Sequence, residues 1–181
     1  MTQSDLVIRV LIEGAIGGAA TIAIAFILSR FLSDIAGRAF LVICLFAAAG
    51  AYFGFAVVGQ AGLLWLLIEL AHIIGFGVMG LLGLRGPGSL GSHGSGIGGS
   101  VVFEGGSVGA QRGSAYWIAA GWALHPLWDI SLHYFGPGNA FAPWPYTIAC
   151  GSFDFLVAAY VFLAYGLIGP RRLGFRGVDW P

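Results

Sequence analysis

Long stretches of apolar side chains dominate this chain, each close to the ~20 residues that a helix needs to cross the hydrocarbon core of a bilayer. Windows of that length place five candidate spans, at about 7–28, 39–58, 61–84, 115–135 and 147–169. Only 9% of the residues are charged, against roughly 25% in soluble domains. A water-soluble globule is thereby excluded. The expected fold is an all-α helical transmembrane bundle of about five spans, a single membrane domain over 1–181 with the lipid bilayer of a cell membrane as its surroundings. Eight acids balance eight bases, every base is Arg, and no basic patch points to nucleic acid as a partner. The N-terminal segment has an acid before its first base and no small-residue cleavage site, so it reads as the first span rather than a signal peptide.

The arginines order the spans. With five crossings, the 28–38 loop, the 85–114 loop and the C-terminal tail share one side and carry Arg30, Arg38, Arg85, Arg112, Arg171, Arg172 and Arg176. The other side holds only Arg9. Positive loop residues stay cytoplasmic, so the seven-to-one split predicts an N-outside, C-inside topology. Residues 85–114 have a linker composition, with eleven glycines in thirty positions and frequent serine. The segment lacks the lysine of a phosphate loop and no strand precedes it, so His93 there reads as solvated. A short hairpin around Val101–Gly106 is weakly signalled.

Gly59 and Gln60 alone join the second and third spans, which predicts an antiparallel helical hairpin. Gly14 with Gly18, and Gly50 with Gly54, offer small-residue pairs for close helix approach. Cys44 and Cys150 lie in apolar runs and read as small buried hydrophobes. Residues 136–146 break the helical pattern with proline and glycine, as either a lid over what lies beneath or an interfacial turn. Trp144 and Tyr146 there suit the headgroup region.

Against this background the ionisable residues stand out. Glu69 and His72 share a face of the third span, at i and i+3. His125, Asp129 and His133 follow at i, i+4 and i+8 of the fourth, projecting within roughly 80° of one another. Asp154 lies in the fifth span, and Glu13 at the edge of the first. Each such group near the bilayer centre costs about 2.5–3.5 kcal/mol on insertion scales, so inward-facing partners are expected. At 1.5 Å per residue, Glu69 lies about 12 Å below the outer end, His72 about 16 Å, His125 about 15 Å, Asp129 about 9 Å and Asp154 about 10 Å. His133 falls near the outer surface. Matching depths on three helices predict one shared cluster.

Histidines with carboxylates form the ligand set of zinc, iron or manganese sites. In that reading His72, His125, His133 and Asp129 bind the metal, and Asp129, Glu69 or Asp154 completes the shell or serves as general base on a lipid-soluble substrate. Two other classes stay open. One is a small transporter or channel component that moves protons or cations through the same groups, and the other is a non-catalytic structural subunit. Pro126, next to His125, removes a backbone donor and predicts a disturbed helix beside the site.

The run His125-Pro126-Leu127-Trp128-Asp129, with His133 and then Cys150-Gly151-Ser152-Phe153-Asp154, resembles an uncharacterised family of small multi-pass integral membrane proteins. That family has a His-x-x-Trp-Asp helix, a proline-rich turn and an Asp-bearing last helix. The resemblance covers about 115–165 and implies a multi-pass membrane protein centred on His125, Asp129, His133 and Asp154, with no implied activity. Two features depart from the pattern: Leu132 stands where a second histidine is expected, and the 85–114 loop is longer.

Overall fold

The computed structural model describes residues 2–85, 106–169 and 173–175, with the backbone alone for 106–114. Those residues form helices and connections without a strand: α1 (Gln3–Phe31), α2 (Asp34–Val58), α3 (Leu63–Leu84), α4 (Gly106–Asp129) and α5 (Trp144–Val161). Helix α4 runs on into a π-helical turn at Ile130–Tyr134, a 3-10 turn follows at Pro137–Ala140, and α5 continues as a π-helical segment at Phe162–Ile168.

Local chemistry sets the boundaries. Thr2 and Asp5 close a reciprocal cap on α1, with the Thr2 hydroxyl accepting from the Asp5 amide at 3.1 Å and the Asp5 carboxylate accepting from the Thr2 amide at 2.7 Å. The Ser33 hydroxyl caps α2 by accepting from the Ala36 amide. These caps start α1 and α2 four or five residues before the apolar windows begin. Helix α4 likewise starts at Gly106, inside the segment whose composition suggested a linker through 114, whereas His93 and the Val101–Phe103 cluster lie outside the described residues. The α2–α3 turn reverses the chain with positive φ at Gln60 (52°) and Gly62 (82°).

The helices form a closed ring in chain order, each against the next and α5 against α1, with α2 and α4 meeting across the middle. The α1–α5 contact rests on glycine. A Cβ at Gly14 would strike the Ala149 carbonyl, and one at Gly18 would come within 3.0 Å of the Phe153 carbonyl. The second glycine pair makes no such contact, since nothing lies within 4 Å of a Cβ at Gly50 or Gly54. One core packs Leu41, Leu45, Ile118, Trp122, Val157, Val161 and Tyr165 together. At one end of α2, Arg38 pairs with Asp34 at 3.0 Å and reaches the Gly83 carbonyl, while Ser29 and Tyr165 share a 2.7 Å hydrogen bond. Arg38 is thus a buried residue of α2 and not a loop residue.

The polarity of this bundle is inverted relative to a soluble protein. Ile16, Ile43, Val58, Leu63 and Leu67 are more than half exposed, whereas Glu69, His125, Asp129, His133 and Asp154 are fully buried. An outer surface of large apolar side chains suits hydrocarbon, and intramembrane charges turn inward. Four of the described helical segments, Gln3–Phe31, Asp34–Val58, Leu63–Leu84 and Trp144–Ile168, are long and apolar enough to cross a membrane. The chain is a helical membrane-spanning protein.

Candidate metal centre

Four elements deliver the polar cluster. Helix α3 brings Glu69 and His72, one turn apart; α4 brings His125 and Asp129, again one turn apart; the π-helical turn brings His133, and α5 brings Asp154. The expected shared cluster is met in space, because these side chains touch across the bundle. The His125 Nδ1–H donates to the Asp154 carboxylate at 2.7 Å and stands 3.3 Å from that of Asp129. Glu69 faces two histidines, accepting from His72 Nδ1–H at 3.3 Å and meeting His133 Nε2 with its other oxygen at 3.3 Å.

Aromatic rings fix the imidazoles. His72 stacks between Trp128 (centroids 4.9 Å apart) and His125 (5.1 Å), and Phe76 sets its edge against both histidines. Tyr52 of α2 stacks on His133 at 4.2 Å, with the rings inclined by only 16°. The Tyr52 and Thr147 hydroxyls are buried without a hydrogen-bond partner among the described residues.

A carboxylate can only accept, so a neutral histidine that donates Nδ1–H to it carries its lone pair on Nε2. Both His72 and His125 are held this way, and neither Nε2 has a hydrogen-bond partner among the described residues. Neither Asp129 oxygen forms a hydrogen bond of good geometry, although the residue is fully buried. Carboxylate-held imidazoles with free Nε2 atoms are the arrangement by which proteins orient metal-binding histidines. His72, His125 and Asp129 each offer one ligating atom, and these atoms lie within 4.8 Å of one another. Four ligands at 2.0–2.1 Å around zinc stand about 3.4 Å apart, and three side chains within 4.8 Å of one another supply part of such a shell.

The remaining sequence expectations divide. His133 is outside that ligand triad, with its ring between Glu69, Tyr52 and Phe141. It is also fully buried within the bundle. The cause is the 136–141 segment, which folds back so closely that a Cβ at Gly138 would strike the His133 imidazole. This segment is a cover in the structure, and Tyr146 beyond it packs edge-on against Tyr52 and Phe55. Glu13 is outside the cluster, exposed and paired with Arg9 at 2.8 Å. Pro126 leaves α4 continuous, and the irregularity comes four residues later as the π-helical turn. Reading Cys150 as a hydrophobe missed its neighbours: with Asp129 and Asp154 it forms a second group whose ligating atoms lie within 4.8 Å of one another. The Cys150-x-x-x-Asp154 spacing, which puts both on one helix face, is the signal that could have revealed it.

A cavity of about 470 Å³ opens between α1, α2 and α5. Gly14, Gly17, Ala47, Ala48, Ala149 and Phe153 supply apolar walls, and Cys150 and Asp154 contribute polar atoms from the cluster side.

Neither the curated proteins nor the solved structures contain a match to the chain. A family model does match residues 86–166, a stretch carrying His125, Asp129, His133, Cys150 and Asp154 while leaving Glu69 and His72 outside it. Over that stretch, which includes the region of resemblance read from the sequence, the chain is similar to a family of unknown function, DUF6010.

Proposed function

We propose that this protein binds a transition-metal ion within the membrane and acts on a lipid-soluble substrate. The observation that carries the reading is the pair of buried histidines, each held at Nδ1 by a carboxylate and each with an unpartnered Nε2. His72, His125 and Asp129 are the proposed ligands; Glu69 and Asp154 orient the histidines, and His133 braces Glu69 from the far side. An ion with three protein ligands keeps an open position, where it polarises a bound water or a substrate oxygen. Asp154 completes the shell or serves as general base, because one oxygen holds His125 while the other has no hydrogen-bond partner among the described residues and the residue borders the cavity. The cavity is of the size that small-molecule sites have, and its apolar walls suit a substrate that arrives laterally from lipid.

Elemental analysis of the detergent-purified protein tests this. Zinc, iron or manganese is expected at no less than one equivalent per chain, retained through gel filtration and lost on chelation. A metal-free protein of full thermal stability would sink the metal reading. Proton or cation flux in vesicles that depends on Glu69 and Asp154 would then assign the cluster to transport.

The same proposal includes five crossings, with α4 and its π-helical turn as the fourth, in one membrane domain with the N-terminus outside and the C-terminus in the cytoplasm. The arginine asymmetry supports it. A Ser95→Cys variant should resist a membrane-impermeant thiol reagent in intact cells and react after permeabilisation, above the background of the wild-type chain. Reaction in intact cells would reverse the orientation.

A further inference from the structure

Asp129 belongs to two ligand groups at once. With His72 and His125 it makes one group and with Cys150 and Asp154 another, and in each group the ligating atoms lie within 4.8 Å of one another. Cys150 and Asp154 project from one face of α5, and Asp129 meets them from α4. Among the described residues, both Asp129 oxygens and one Asp154 oxygen are without a hydrogen-bond partner, although these residues are completely buried. Buried polar atoms are rarely left so.

The donor set points the same way. Glu69, Asp129 and Asp154 are all buried, and every ion-pair partner they show among the described residues is a histidine. Three acids and a thiol gathered inside the bundle with histidines as their partners are a donor set suited to divalent metal ions.

We propose that Asp129, Cys150 and Asp154 hold a second divalent metal ion, bridged through the Asp129 carboxylate to the ion at His72 and His125. Two-metal sites place their ions about 3.5–4 Å apart, a distance one carboxylate spans when both its oxygens are free. The thiolate ligand selects a soft or borderline ion such as zinc or iron(II) over magnesium or calcium. The Cys150 thiol gives up its proton as the ion binds. Because Cys150 and Asp154 line the cavity between α1, α2 and α5, the second ion is the one exposed to a substrate arriving from lipid.

This inference rests on the metal reading above, and its test separates the two. Full-length protein, stripped with a chelator and titrated with cobalt(II), should bind two equivalents and show a thiolate-to-cobalt charge-transfer absorption. Cys150→Ser should bind one equivalent and lack that absorption. His72→Ala should also bind one equivalent but keep the absorption, so that each variant shows the fold of the half it retains. One equivalent in the wild type without a thiolate band would overturn the second ion and leave the histidine site standing. No bound cobalt at all would overturn both. Loss of both equivalents in a variant is read against the wild-type titration, where two equivalents with the thiolate band support the proposal and anything less overturns it.

Discussion

Replacing His125 and Asp129 together by Ala is expected to remove the bound metal and to lower the melting temperature in detergent by about 10 °C. A ligand present at about 1,000 times its dissociation constant stabilises the folded state by about 4 kcal/mol, and one kcal/mol shifts the midpoint of a chain this size by about 2–4 °C. The single Asp129→Ala variant gives the sharper reading, because the sign of its effect depends on the metal. Asp129 is fully buried, and neither of its oxygens makes a hydrogen bond of good geometry. With a metal to ligate, its loss weakens binding and stability falls. Without one, the substitution deletes a buried acid whose oxygens make no hydrogen bond of good geometry, and stability should hold or rise. Melting curves of the wild type and of both variants, with and without chelator, distinguish these cases. A stabilised Asp129→Ala protein would overturn the metal reading.

The second large effect concerns the helix contact on which one wall of the cavity depends. Gly14→Leu is expected to separate α1 from α5, since even a Cβ there meets the Ala149 carbonyl and the Ser152 hydroxyl. Ser152 also donates to the Leu11 carbonyl at 2.8 Å, a hydrogen bond between the two helices that the same substitution would disturb. Backbone cannot rotate out of the way as a side chain can, so the cost should match or exceed the about 1–3 kcal/mol typical of overpacked cores. Gly54→Leu is the internal control, because nothing lies within 4 Å of a Cβ at that position. The yield of monodisperse protein and its melting temperature should drop for Gly14→Leu and stay near wild type for Gly54→Leu. Equal behaviour of the two variants would mean that α1 is not held against α5 in this way.

Much of the site was legible because the sequence breaks its own rule. In a chain with so few charges, Glu69, His72, His125, Asp129 and Asp154 each sit in an apolar run, and the cost of exposing them to lipid predicts that they turn inward. Helical period and rise then set their shared faces and depths. Neither quantity says which helix stands beside which, and that is where the reading ran out. Gly14-Gly18 and Gly50-Gly54 are the same pattern in the sequence, yet only the first lies against a neighbouring backbone.

The sequence by itself determined the solvent this protein lives in, its helical class, the long apolar helices and the five polar residues that must find partners inside. Those follow from composition and from the one-dimensional periods of a helix, which need no knowledge of neighbours. Only the tertiary structure decided that His133 is buried under the 136–141 turn, that Tyr52 stacks on it, and that Cys150 stands with Asp129 and Asp154. These are distances between elements far apart in the chain. They depend on how each helix is rotated about its axis, on the widened turn at Ile130–Tyr134 that breaks the α-helical register before His133, and on glycine contacts that draw α1 onto α5. Spacing along one helix carries no information about any of the three.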